Sequence, residues 1–194
     1  VNYSIKWERN EFDIREERWA QAFFNGPKTK DYWNLEIGSS GSEDRSVKYS
    51  AIHRAAARYY YGDIGGLKRI GNSDRLIFAY WHYEKGTGKN YTNSVQPLPN
   101  IKIWGIKKEN NFYEINQILA TTFHELGHSS HIKRMGGLTV FMNVTRQIQE
   151  SWADAIEWYL TELEYTQLGE PGKADDYQYW DLTDNKTLYT PMFI

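Results

Sequence analysis

Residues 124–128 read His-Glu-Leu-Gly-His, and this run constrains the chain more than any other. It demands a helix. Side chains four residues apart on a helix share one face, with Cβ atoms about 6 Å apart. His124 and His128 can therefore hold one metal ion only if the backbone between them is helical. Zinc accepts imidazole nitrogen, and a glutamate between two such histidines can reach the water of an open coordination position. The flanking residues supply the helix: Ile115, Ile118, Leu119, Phe123 and Leu126 recur at helical spacing. Asn111 with Glu114 three residues on is a capping-box-like start, and Gly136-Gly137 is a stop. The expected helix spans about 114–133, with both histidines off its apolar stripe and turned toward a cleft.

A catalytic zinc needs a third protein ligand and one position left open. The segment from Thr145 to Glu164 predicts a second amphipathic helix, with Ile148, Trp152, Ile156, Tyr159, Leu160 and Leu163 as its apolar stripe. Glu150, Asp154, Glu157 and Thr161 fall on another face. Glu150 follows His128 by 22 residues, enough for a loop and a helical turn that returns to the metal. Asp154, one turn further on, can accept the remaining N–H of a ligand imidazole, which fixes the tautomer. Glu157 and Thr161 are expected in solvent. His131 is a poorer third ligand, because it lies seven residues from His124, about 10.5 Å along the helix axis.

His-Glu-Leu-Gly-His followed by Glu150-Ser-Trp-Ala-Asp154 resembles the gluzincins, the thermolysin-like zinc metallopeptidases. Their pattern is HExxH and then a downstream glutamate ligand in Glu-x-x-x-Asp. The likeness runs from Asn111 to Tyr165. It implies one Zn2+ held by His124, His128 and Glu150, with Glu125 as general base and Asp154 as partner of a ligand histidine. It also implies an α+β, zincin-like fold, in which a small N-terminal mixed sheet packs on the HExxH helix and a second helix supplies the glutamate. The strand before the active-site helix, Ile101 to Lys107, is then expected at the sheet edge, where an extended peptide pairs with it. Two features of thermolysin are missing: no Tyr lies between His128 and Glu150, and no His follows His131. Its oxyanion-stabilising groups are therefore not carried over. The rival metzincin pattern, HExxHxxGxxH, fails at His131 and Arg134.

Composition removes several other classes. A net charge of −2 leaves no basic footprint for nucleic acid. No apolar run approaches the ~20 residues of a membrane-spanning helix. The absence of cysteine excludes disulfides and thiolate metal sites. With 194 residues the chain has enough length for one catalytic domain, read as a sheet and active-site-helix part over 1–137 and a mostly helical part over 138–194. The start at Val1 and the apolar ending Pro191-Met192-Phe193-Ile194 suggest a piece of a longer protein, with secretion or the cell envelope favoured.

The remaining elements follow from local pattern. Strands are expected over Val1–Glu8, Tyr32–Ile37 and Arg75–Tyr83, and helices over Asp13–Phe24 and Ser46–Tyr60, the latter with Ala51, Ile52, Ala55, Ala56 and Tyr59 inward. Gly38–Gly41 and Asp63–Asp74 are connections, and Glu84–Asn100 is a long polar loop. Two functional readings emerge. In one, the chain hydrolyses peptide bonds with metal-activated water and Glu125 as base. In the other, many of the eight Trp and 15 Tyr lie at the surface or line a peptide- or glycan-binding groove, on a zincin fold that keeps its zinc without catalysis.

Overall fold

The computed structural model describes residues 2–4, 13–16, 23–25, 45–67, 69, 76–83, 88–91, 100–108 and 111–172. These residues form an α+β structure. Two short strands, β1 (Asn2–Ser4) and β3 (Phe23–Asn25), pair antiparallel. A larger mixed sheet contains β2 (Asp13–Glu16), β4 (Leu76–Tyr83), β6 (Asn100–Lys108) and β5 (Gly88–Tyr91) in that order, and β7 (Asn111–Phe112) also pairs with β6. The first three strands run parallel; β5 and β7 run antiparallel to β6. Four helices complete the fold: α1 (Arg45–Tyr61), α2 (Ile115–Arg134), α3 (Leu138–Phe141) and α4 (Arg146–Gln167).

Strand alternation decides which sheet face meets the helices. Ile77 and Ala79 of β4 and Ile101 and Ile103 of β6 are buried in register, with Ile77 opposite Ile101 and Ala79 opposite Ile103. Against them pack Ile52, Ala55, Ala56 and Tyr59 of α1 and Ile118, Leu119, Phe123 and Leu126 of α2. Ile156 and Leu160 of α4 enter the same cluster, so the two parts that meet at Gly136-Gly137 share one core. Burying an aliphatic side chain of this size contributes about 1.5–3 kcal/mol, and this shared cluster fixes α2 and α4 against each other.

Several expectations change. Both described parts of the helix expected over 13–24 are strands, Asp13–Glu16 and Phe23–Asn25; residues 17–22 lie outside the described residues. Ile14 is fully buried opposite Ile77, and pairing with β4 outweighs a short, loosely helical apolar pattern. The polar stretch before Asn100 contains β5, because the backbone of β6 offers Gly88–Tyr91 an antiparallel ladder whatever their side chains. That ladder also moves the 101–107 strand off the edge. With β4 on one side and β5 on the other, β6 is interior over Asn100–Ile103, and β5 is the last strand of the sheet among the described residues.

α2 starts about where expected, but its capping box is Glu114 with Gln117 and not Asn111 with Glu114. Gln117 Oε1 accepts the Glu114 backbone N–H at 3.0 Å, and Asn111 is drawn into β7. It stops where expected: Gly136 and Gly137 carry φ of +88° and +134°, values that disfavour any residue with a Cβ. The strand and loop expected over 32–41 lie outside the described residues.

Candidate metal centre

A spacing of four residues, just over one helical turn, puts His124 and His128 on one face of α2, with ring centroids 4.9 Å apart. Leu126 is fully buried on the other side and anchors that face toward α4. The close approach of the two helices has a local cause. Gly127 lies against α4, and a Cβ built there would sit 3.1 Å from Ile156 Cβ and 3.2 Å from Ala153 Cα. A glycine and an alanine at the crossing bring the backbones close enough for an α4 carboxylate to reach both histidines.

That carboxylate is Glu150. Its Oε2 stands 3.5 Å from His124 Nε2 and 3.4 Å from His128 Nε2. The metal-ligating atoms of His124, His128 and Glu150 all lie within 4.8 Å of one another. A tetrahedral zinc with bonds of about 2.0–2.1 Å has ligand–ligand edges of about 3.3–3.4 Å. The two edges to Glu150 Oε2 lie close to that figure, and the donor set of two imidazoles and one carboxylate suits zinc. The residues therefore fit the ion.

Glu157, not expected at the site, is the partner of His124. Its Oε2 is 2.9 Å from His124 Nδ1. With Nδ1 as the donor to Glu157, Nε2 is the nitrogen left to offer its lone pair to a cation between it, His128 and Glu150. Asp154, expected in that role, is buried beside it, with a carboxylate oxygen within 4.8 Å of the donor atoms of His124 and Glu157. Thr161, also expected in solvent, is buried on the same face of α4. The signal for Glu157 was present in the sequence, since Glu150 and Glu157 are seven residues and two helical turns apart.

Glu125 follows the first ligand and is buried. Burial pushes its carboxyl up to about 8; His124 pulls against that shift, and the nearby charges of Glu150 and Glu157 add to it. Burial alone would lower His124, but its bonds to Glu150 and Glu157 hold it well above the ordinary imidazole value. Burial lowers His128. Glu150 resists its own burial and stays well below the usual carboxylate range because both histidines bond to it. Burial, then the charge of Glu157, raises Asp154 to about 6. Without a cation this cluster holds a proton on His124 between two carboxylates, and a dication can take that proton's place.

The turn between the helices is tied to the site. Gln149 Nε2 donates to the carbonyls of Phe141 and Val144, both at 2.9 Å, and closes α3 onto the start of α4. Phe141 is thereby set edge-on to His128 and His131, at 6.5 and 5.2 Å between ring centroids. His131 does not join the ligands. It lies between Phe141 and Trp152, the latter ring 5.0 Å away. Arg146 contacts Glu150 from outside, with Nε 3.4 Å from Oε1. Sequence reasoning gave neither Gln149 nor Arg146 a role.

No protein-family model, curated protein or solved structure matches this chain. Its chemistry is read from its own geometry.

Proposed function

We propose that the chain is a zinc-dependent peptidase of gluzincin type, with a zincin-like arrangement of sheet and helices. The observation that carries this reading is the convergence of His124 Nε2, His128 Nε2 and Glu150 Oε2 at tetrahedral-edge distances, with Glu125 buried beside the first ligand. Zinc, when bound by these three residues, would supply a Lewis acid that polarises a scissile carbonyl and activates water near neutral pH.

The rest is done by the chain. Glu150 contributes the one negative charge among the three ligands, and Glu157 orients His124. Glu125 is the general base. Buried beside the first ligand, it is placed to take the proton of the activated water and pass it to the leaving amine. Among the described residues β5, which packs beside α2, is the edge along which an extended peptide would pair, since β6 is covered.

Zinc content and peptide cleavage test the reading together. The intact protein should retain about one zinc per chain through dialysis, and Glu150→Ala should lose it. Glu125→Gln should keep the zinc and lose peptide hydrolysis by about 10²–10⁴-fold. A zinc-loaded protein that binds peptides but cleaves none, with Glu125→Gln indistinguishable from it, would replace this reading with that of a binding module.

A further inference from the structure

Arg146 is held at the metal centre by a single long contact. Its Nε lies 3.4 Å from Glu150 Oε1, while the other oxygen of that carboxylate faces the two histidines. The Arg146 side chain is 75 % exposed, and among the described residues its terminal nitrogens have no partner. A guanidinium fork is thus left open beside a proposed metal ligand, next to the cluster that holds the carboxylates of Glu150, Asp154 and Glu157. Its charge is felt at His128. A second guanidinium, that of Arg134, lies 5.7 Å from the Trp152 ring centre at the same end of the α2–α4 pair.

An exposed cation of this kind has two uses in a hydrolase. Stabilising a transition-state oxyanion requires donors in a water-excluded position, and 75 % exposure does not meet that requirement. Binding a substrate carboxylate does not require it. The planar fork matches a carboxylate with two parallel N–H···O bonds, and Nε can remain on Glu150 while the terminal nitrogens do so.

We infer that Arg146 anchors a carboxylate of the substrate close to the scissile bond, so that the preferred substrates are peptides carrying a negative charge there. This inference rests on the peptidase reading and adds the substrate class to it. The carboxylate has two sources, the free C-terminus of a short peptide or an Asp or Glu side chain. Matched peptides separate them.

The experiment uses a peptide library with each member made as free acid and as C-terminal amide, and with Asp/Glu exchanged for Asn/Gln. It is run on the zinc-loaded intact protein, Arg146→Gln and Arg146→Lys. Zinc per chain is measured on each, and all three should hold about one. The intact protein should cleave the charged member of a pair with a KM about tenfold or more below that of its neutral match. In Arg146→Gln that ratio should fall to about one, through KM and not kcat. Arg146→Lys, which keeps the charge and loses the fork, should fall between them. Selection for free acids over amides assigns the C-terminus, and selection for Asp or Glu over Asn or Gln assigns the side chain. Equal KM for charged and neutral members in the intact protein overturns the inference and leaves the peptidase reading standing. A loss of kcat in Arg146→Gln that is equal for both members also overturns it, by making Arg146 a support for Glu150. Absence of any cleavage at full zinc occupancy overturns the peptidase reading, and the inference with it.

Discussion

Glu157 Oε2 lies 2.9 Å from His124 Nδ1, and Glu150 Oε2 lies 3.5 Å from the same ring's Nε2. One imidazole is thus held at both nitrogens by carboxylates two turns apart on α4. The outer bond orients the inner nitrogen and increases its basicity, and partners of this kind typically contribute 10–100-fold in metal affinity. Glu157→Gln is therefore expected to weaken zinc binding by about 10–100-fold in a chelator competition. Asp154→Asn, which leaves that bond in place, should weaken it less. Equal effects of the two variants would return the orienting role to Asp154.

Gly127 is the point at which α2 touches α4. A valine there would push against Ile156 and Ala153, both on a helix that carries Glu150. Overpacking of this sort costs about 1–3 kcal/mol, and for a chain of this length each kcal/mol lowers Tm by about 2–4 °C. Gly127→Val should lower Tm accordingly and weaken zinc binding as well, because the third ligand moves with its helix. Unchanged thermal unfolding and zinc affinity would show that the crossing has room to adjust.

Much of the site was legible because helical periodicity is local. His124, His128 and Glu150 sit at spacings that a helix converts directly into a shared face, and α2 and α4 start and end within a few residues of their expected bounds. Glu157 was misplaced for a different reason. A glutamate on a polar helix face is solvated unless another element covers it, and the cover here is α2, whose approach depends on Gly127. The sheet was less legible for the same kind of reason. Residues 13–16 become a strand through Leu76–Ala79, 63 residues on, which no local window contains, and 88–91 become one through the ladder to Asn100–Ile103, which their own polar side chains do not signal.

Gly105 has Trp81 across its face. A Cβ at Gly105 would lie 2.1 Å from Trp81 Cζ3. The indole is fixed in turn, since its Nε1 donates to Tyr49 OH at 2.8 Å and the two rings meet edge-on at 5.3 Å. Gly105→Ala should drive the indole off that position, break the bond to Tyr49 and destabilise the protein by about 1–3 kcal/mol. Near-UV circular dichroism should lose part of its tryptophan signal while the far-UV spectrum remains. An unaltered near-UV spectrum would show that the ring tolerates the added carbon.

His131 is buried between Phe141 and Trp152, and its Nδ1 has no hydrogen-bond partner among the described residues. Burial lowers its pKa from 6.5 to about 4, with the charges of His128 and Arg134 acting in the same direction. The folded protein therefore keeps this imidazole neutral at pH values where the unfolded chain protonates it. Stability must then fall as pH drops below about 6.5 and level off below about 4, because over that window the unfolded state binds the additional proton. At 1.36 kcal/mol per unit the full shift sets an upper bound on the order of 3 kcal/mol, which solvent screening reduces. His131→Phe keeps the ring between its neighbours and removes the titration. Denaturant unfolding in excess chelator, which takes zinc release out of the measurement, should show the intact protein losing more stability than the variant between pH 7 and pH 4. Parallel pH profiles for the two proteins would mean that the buried imidazole contributes nothing to the acid sensitivity of the fold.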